Sequence, residues 1–572
     1  MDKRWKLRDN GISTADQSQE ESLHPLVAAI LAVRGYENAA DIRSFLTPLL
    51  SEMIDPHLLH GVEAAVDRLL KARRNKEMVC IYGDYDVDGI SGTSLLVSFL
   101  RSTGFVCTYF IPNRFDDGYG LNGESIERII ALGAGLIISV DCGITAVEEA
   151  VLCKMRGVDL IIVDHHLPKE IIPDACAVIN PLQPGCPYPF KSLAGVGVAF
   201  NLLVALRSAL RSAGAFTNDT VPDLREWLDM VALGTIADVV PLVGQNRMYV
   251  LHGLKQLSFS RKPGVIALKH VAGITDEVTC GQVGFRLAPR LNAAGRMESA
   301  VPGVDLLLSV DADESLLIAT ELDAANAERQ AIERRIFEEA DALLQAAGNV
   351  SDRRSIVLAS AGWHQGVVGI VASRLVERYH RPTILIALTE DGVGKGSGRS
   401  IPGFHLLDAL TACSRHLERF GGHRYAAGVG LRADMVAAFA ESFETEATRI
   451  LTAADLIPNL DIDAEVFPAD ITKELALELK RLEPFGAGNP EPVLMMRGMT
   501  VVERRVVGDG HVRLRVTRDN RTFTAIAFRM AEREIPRQID IAFFPEINEW
   551  KGSSSVQLRV KDLRPSEIHH AT

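Results

Sequence analysis

Between Met78 and Leu242 the chain repeats one pattern, a short aliphatic run followed by an amphipathic segment. The runs are "MVCIY", "FVCTYFI", "GLIISV" and "VDLIIV". None alternates apolar with polar residues, so each has to be covered on both faces. Strands of that kind, joined by helices, form a parallel sheet with helices on either side. The constraint also fixes where chemistry can sit. All strands of a parallel α/β sheet open on one edge, and ligands bind there, where the strand order reverses.

Acids cluster at those strand ends. "MVCIYGDYDVDGISG", Met78 to Gly92, closes its apolar run with Asp84, Asp86 and Asp88. In an extended segment the side-chain period of two puts all three on one face, where they repel one another and unpaired burial is costly. Either solvent or a cation has to relieve them. A calcium loop of the EF-hand type is excluded, because its twelfth position would be Leu95 rather than a bidentate Glu and a strand-like run precedes it. "LIISV" runs into Asp141, and "LIIV" runs into Asp164, His165 and His166. Asp238, in "LGTIADVVPL", would by itself read as a helix-end acid, and either histidine by itself as an ordinary one. Together the clusters form a carboxylate-rich set with a few imidazoles. Such a set suits Mn²⁺ or Mg²⁺ better than structural zinc, and its size suggests two divalent metal ions.

The rest of the chain frames this centre. The 572 residues, 47% of them hydrophobic, suffice for several domains with sizeable cores. Eight scattered cysteines without a C-x-x-C pair predict reduced thiols rather than disulfides or a thiolate zinc site. The N-terminus lacks an apolar signal region and no run is long enough to span a membrane, so the expectation is a cytoplasmic protein with no membrane contact. We read residues 1–75 as a helical lead-in, 76–245 as the catalytic α/β domain and 246–313 as its helical extension. Residues 314–348, free of Gly and Pro almost to their end, read as one long connecting helix, 349–452 as a second α/β domain, and 453–572 as a small β-barrel. The net charge of -13 argues against nucleic acid only on average, since it hides local basic patches.

"YGDYDVDG", "DCG", "VDHH" and "ADVVPL" resemble, in order and spacing, the motifs of the DHH phosphoesterases, which hydrolyse phosphate esters or anhydrides with two divalent metals. "FRLAPRLNAAGRM" from Phe285, "WHQGVVGIVASRL" from Trp363, "GSGRSIPGFHLLDAL" from Gly396 and "FGGHRYAAG" from Phe420 narrow the resemblance to its single-strand-DNA exonuclease branch. The resemblance implies two α/β domains, joined by a long helix around a catalytic cleft, plus a C-terminal OB-fold-like barrel. It makes Asp86, Asp88, Asp141, His165 and Asp238 metal ligands, with Asp141 bridging. Other branches carry a histidine where Tyr82 or Asp84 stands here, which leaves the role of Asp84 open. His166 would contact the substrate phosphate, and Asp164 would orient an imidazole. The implied activity is 5′ to 3′ digestion of single-stranded DNA to 5′ mononucleotides, by a monomer, with a single-strand-binding protein and a helicase as suggested partners.

Arg114 in "IPNRFDDGYG", and Lys395, Ser397 and Arg399 in the glycine-rich "GKGSGRS", read as phosphate-binding turns. The resemblance makes them the pocket for the 5′ phosphate. Arg296 is either a further phosphate contact or paired to an acid, and His423 is placed by the resemblance facing the cleft. In "HVRLRV", Val512, Leu514 and Val516 alternate with His511, Arg513 and Arg515, and in "VQLRVK" Gln557, Arg559 and Lys561 share one face. These faces are either ordinary solvated surface or a grip on a DNA backbone. Phe523, Phe528 and Trp550 either stack on bases or fill the core. A phosphodiesterase for short oligonucleotides or cyclic dinucleotides, a pyrophosphatase, and a DNA-binding scaffold without hydrolysis are the competing readings.

Overall fold

The computed structural model describes residues 3–8, 23–114, 117–118, 120–217, 219–348, 350–550 and 552–566. The chain divides into two compact units, one of residues 48–331 and 484–490, the other of residues 1–47, 332–483 and 491–572.

The first unit is built on the parallel sheet that the aliphatic runs require. Its strands lie in the order Val106–Phe110, Met78–Gly83, Ala134–Val140, Asp159–Val163, Ala177–Ile179, all parallel. Side chains of each central strand feed two cores. Val79 and Ile81 join one with Ile138 and Val163, while Cys80 and Tyr82 join the other with Ile137 and Ile162. That double burial is why no strand alternates. The strand order reverses at Met78–Gly83, which puts the crevice at its C-terminal end and at that of its neighbour Ala134–Val140. Helix Val87–Ser102 leaves directly from this end, and helices Gly195–Ser212 and Leu228–Ala237 pack beside it.

Residues 246–313 fold mainly as helices, with one irregularity. Pro289 has no N–H for the carbonyl of Phe285 and crowds it, and the helix widens into a π turn over Val283–Leu287 before Ala288–Met297. Residues 484–490 reach this unit from between the last helix and the barrel of the other one. There the Leu242 N–H donates to the Ala487 carbonyl at 2.7 Å, and Asn489 Nδ2 closes a tight turn on the Pro484 carbonyl at 2.9 Å. The long helix is continuous over Ala312–Ala346.

The second unit contains a mixed five-stranded sheet, ordered Arg419–Gly422, Ala426–Arg432, Val393–Arg399, Thr383–Leu388, Ile356–Ser360, and a barrel. In the barrel Leu494–Val507, His511–Arg518, Arg521–Ala527, Ser553–Pro565 and Gln538–Trp550 pair in sequence, and the last returns to the first through Leu494 opposite Phe543. Val512, Leu514 and Val516 point into its core and Arg513 and Arg515 outward, as the alternation predicts. The other stripe is not a free basic face. Arg559 pairs with Glu491 and Glu546, Lys561 with Glu491 at 2.5 Å, and Gln557 with Glu546. Phe523 is buried in the barrel, whereas Phe528 is exposed and stands edge-on to His511 at 5.0 Å. The Trp550 side chain lies outside the described part.

Two expectations need correction. The lead-in is not helical throughout, because Arg4–Leu7 is a strand, parallel to Asn459–Ile462, and Trp5 Nε1 donates to buried Asp562 at 2.7 Å. "GKGSGRS" is not a turn but the strand Val393–Arg399. Its glycines face the core, where a Cβ on Gly396 would lie 2.7 Å from Val429 Cγ2, so they serve packing rather than approach of an anion. All eight cysteines are unpaired, and no helix among the described residues is long and apolar enough to cross a membrane.

Candidate metal centre

Three aspartates follow three adjacent strands, and their backbones continue the sheet. The N–H of Asp84 donates to the Val140 carbonyl, that of Asp141 to Val163 and that of Asp164 to Ile179, at 3.0 to 3.2 Å. The strand ends therefore form a row of carboxylates along the crevice. Asp86 caps the helix that starts there, its Oδ1 accepting from the N–H groups of Asp88 (2.9 Å) and Gly89 (3.2 Å). Gly89 has to be glycine, since a Cβ would lie 2.5 Å from the Asp84 carbonyl oxygen. Asp88, in the first turn, is fully buried. Its carboxylate accepts from the N–H groups of Gly195 (2.6 Å) and Val196 (2.9 Å), the start of another helix, whose dipole favours the negative charge.

His165 Nε2 lies 3.0 Å from Asp141 Oδ1, 3.6 Å from Asp238 Oδ2 and 3.9 Å from Asp88 Oδ2. Asp238 arrives from the C-terminal end of Leu228–Ala237. Asp141 and Val239 both have left-handed backbones, at φ 62° and 60°, a strain that persists where the surroundings impose it. Asp164 sits behind the row. Its Oδ1 accepts from the N–H groups of His165 and His166 and faces His166 Nδ1 at 2.8 Å, and its Oδ2 accepts from the Ile144 N–H. The imidazole that Asp164 orients is thus His166, not His165.

Asp84 Oδ1, Asp141 Oδ1, His165 Nε2 and Asp238 Oδ2 are buried and accept no hydrogen bond. Buried polar atoms are nearly always partnered, so four orphans converging on one crevice call for a ligand that the side chains do not supply. Donor atoms of Asp84, Asp86 and Asp141, of Asp88, His165 and Asp238, and of Asp141, His165 and His166 lie close enough to share a cation in each case. Asp141 belongs to two of these groups. Oxygen-rich donors with one or two imidazoles fit divalent Mn²⁺ or Mg²⁺.

The electrostatics agree. Burial, then repulsion from Asp86, pushes the Asp88 carboxyl up to about 7, and burial, then Asp88, pushes Asp238 up to about 9. Asp84 and Asp141 are held well above the usual range, first by burial and then by neighbouring carboxylates. Burial and the charge of His166 lower His165 to about 4. Burial also works against His166, but the hydrogen bond and charge of Asp164 raise it to about 9, and Asp164 itself is lowered despite its burial. One imidazole is thereby held neutral and its neighbour held as a cation.

Arg114 stacks over the Tyr85 ring at 5.2 Å, and both Arg114 and Arg296 act electrostatically on Tyr85, between Asp84 and Asp86. Arg296 is not free of other partners. Ser397, Arg399 and His423 belong to the other unit. Arg399 Nη1 donates to Ser397 Oγ at 3.0 Å and to the Gly398 carbonyl. Both side chains abut the N-terminal turn of helix Val368–Tyr379, where a Cβ on Gly369 would meet Ser397 Oγ at 2.8 Å. His423 is exposed at a hairpin tip, its N–H bonded to the Ala426 carbonyl. Sequence reasoning missed Asn292, which accepts from the Val87 N–H, and the Gly195–Val196 clamp on Asp88. The glycines of "AGVGVAF" signal that clamp, since a Cβ on Gly195 would lie 2.8 Å from Asp141 Cβ.

Comparison with known proteins bears on this centre. Residues 78–235 match the model of the DHH family, N-terminal domain, residues 352–448 that of the DHHA1 domain, and residues 462–562 that of the RecJ OB domain. The chain is 40% identical over 561 residues to the single-stranded-DNA-specific exonuclease RecJ of Bacillus subtilis, covering 96% of this chain and 70% of that one. It is 38% identical over 571 residues to the protein of the same description from Escherichia coli, covering 96% and 97%. The crystal structure of RecJ in complex with Mn²⁺ from Thermus thermophilus superposes with a TM-score of 0.84 at 31% identity, over 99% of this chain and 80% of that one. The Mg²⁺ complex from the same organism gives 0.78 at 30%, over 99% and 79%.

Without metal, the folded protein holds protons on Asp88 and Asp238 that the unfolded chain, with carboxyls near 3.9, has lost. Their folded values are raised, so the stability they confer is complete below about pH 4 and drains as pH climbs through about 7 and then 9. His166, also raised, adds the same sign above about pH 6.5, where His165 no longer contributes a slope. We expect the melting temperature in chelator to fall between about pH 6.5 and 9.5 and the gain on adding Mg²⁺ to grow across that window. A gain independent of pH would contradict the placement of these carboxyls.

Proposed function

The chain belongs to the RecJ family, and we propose that it is a single-stranded-DNA-specific exonuclease that digests from the 5′ end, releasing 5′ mononucleotides at a centre holding two divalent ions. The observation that carries the reading is the convergence of four buried, unpartnered donor atoms on the edge where the sheet order reverses.

Asp84, Asp86, Asp88, Asp141, His165 and Asp238 are the residues that would hold the metal, and Asp141 belongs to more than one of the donor groups they form. What divalent metal supplies when bound is activation of water as nucleophile and neutralisation of charge developing at phosphorus. The protein's own groups do the rest. Backbone donors hold the carboxylates of Asp86 and Asp88 in place beside the crevice. Low basicity keeps His165 neutral, the state in which Nε2 can ligate. Asp164 keeps His166 charged and oriented, ready to donate to a phosphate oxygen. Arg114 and Arg296, flanking Tyr85, provide charge for the phosphate next to the scissile one. No protein nucleophile is needed.

Arg399, braced by Ser397 beside a helix N-terminus, has the charge and the donors to recognise a terminal 5′ phosphate, which carries more charge than an internal diester. The barrel's exposed Arg513 and Arg515 supply a backbone grip that substrates of a few nucleotides would not require. That favours long strands over cyclic dinucleotides. A single-strand-binding protein and a helicase, as suppliers of such strands, rest on the family resemblance alone.

Asp88→Ala and His165→Ala should each cut hydrolysis by more than about 100-fold while strand binding persists, since losses behind a ligand already cost about 10- to 100-fold. Near-normal turnover of a 5′-phosphorylated oligonucleotide at saturating Mn²⁺ would refute the assignment. Arg399→Ala should slow single-turnover cleavage chiefly of 5′-phosphorylated strands, closing the gap to 5′-hydroxyl strands. Equal slowing of both would remove it as reader of the 5′ end. Arg513→Glu with Arg515→Glu should weaken binding of long strands and flatten the salt dependence by about 0.7 in log K per log salt for each phosphate that is no longer neutralised. An unchanged slope would show that the grip lies elsewhere.

A further inference from the structure

The helical run that opens with the π turn Val283–Leu287 and continues as Ala288–Met297 lies along the catalytic edge, and three contacts fix its course. At its start a Cβ on Gly284 would lie 4.0 Å from Ile236, two residues before Asp238. Midway, Asn292 Oδ1 accepts from the Val87 N–H at 3.2 Å, beside Asp86. At its end a Cβ on Gly295 would lie 2.8 Å from the Tyr85 carbonyl oxygen. The run therefore passes from the Asp238 side of the metal centre to the Asp86 side. Phe285 and Arg296, eleven residues apart on it, are separated by about 16 Å of helix, the length of a few nucleotides of extended strand.

The two ends differ in chemistry. Arg296 stands with Arg114 at the Tyr85 end, which is cationic. The other end is apolar and open. Phe285 is 85% exposed, and Val239, directly after Asp238, is 70% exposed with a left-handed backbone. Phe285 lies within the π turn that precedes Pro289. π turns and left-handed β-branched residues are costly irregularities that persist at functional sites. Nothing in the metal chemistry uses either side chain.

We infer that Phe285 is a stacking platform for an unpaired base, with Val239 supplying apolar surface at the same end of the site. A strand whose 5′-terminal phosphate lies toward Arg114 and Arg296 would cross the metals and present a base to the Phe285 ring a few nucleotides toward its 3′ end. The ring holds the strand in line while the scissile phosphate is positioned. A base within a duplex is already stacked and paired, so the platform selects for single strands by shape and is indifferent to sequence. The inference rests on the exonuclease reading and extends it from phosphates to bases.

The test uses the full-length protein with Mn²⁺, Phe285→Ala and Phe285→Tyr, and 5′-phosphorylated oligonucleotides carrying one abasic residue stepped along the strand. Single-turnover cleavage gives half-saturation and maximal rate separately. Phe285→Ala should raise half-saturation by about 5- to 100-fold, with the smaller change in maximal rate, and Phe285→Tyr should restore it. At one position near the 5′ end the abasic residue should cost the native protein as much as Phe285→Ala does, and should cost that variant nothing further. Normal half-saturation in Phe285→Ala, or no position at which the two losses merge, would overturn the platform while leaving the exonuclease intact. Failure of the native protein to shorten any strand would overturn both.

Discussion

Mutual repulsion among buried carboxylates is the constraint around which the first unit is arranged. Asp84, Asp88 and Asp141 are almost wholly inaccessible, and Asp84 and Asp88 both raise the proton affinity of Asp141. The fold relieves only part of this. Backbone N–H groups satisfy Asp86, Asp88 and Asp164, and a charged imidazole partners Asp164. Asp84, Asp141, Asp238 and His165 keep a donor atom with no such relief. The unrelieved atoms are the ones left to take a ligand. A sheet that reverses order at Met78–Gly83 brings these residues to one edge, and left-handed Asp141 turns its carboxylate into the crevice at a cost in backbone strain.

The division between relieved and unrelieved carboxylates makes the two histidines unlike, although they are neighbours in sequence. His166 donates a hydrogen bond to the rear carboxylate and is held as a cation, and its charge then helps to keep His165 neutral. One aspartate behind the row thus acts, through the charge of His166, on the protonation of a neighbour it touches only through the backbone.

Much of this was legible in the sequence because it is local. Uninterrupted aliphatic runs dictated a sheet buried on both faces, and acids at their ends dictated a shared edge. The long helix announced itself by the lack of Gly and Pro. What stayed hidden depends on partners far along the chain. "VQLRVK" looks basic until Glu491 and Glu546 are found against it. Arg4–Leu7 is too short to read as a strand without Asn459–Ile462 beside it. "GKGSGRS" has the composition of a turn, and only the packing of Val429 on Gly396 explains why a strand needs those glycines. Of Asp164, His165 and His166, spacing could not decide which imidazole the carboxylate holds. The helix start at Gly195 that grips Asp88 is 107 residues away.

The tight turn at residues 484–490 gives the molecule a seam that does not follow its modules. Along the chain it is a connector between a helix and the barrel, the sort of place where one would cut to transplant a cassette. In space it is part of the catalytic unit, bonded to Leu242 four residues after Asp238. Exchange of the barrel between relatives by recombination would then keep this unit's own contacts intact only where the breakpoint falls beyond Pro490, so the inheritable block is longer than the visible domain.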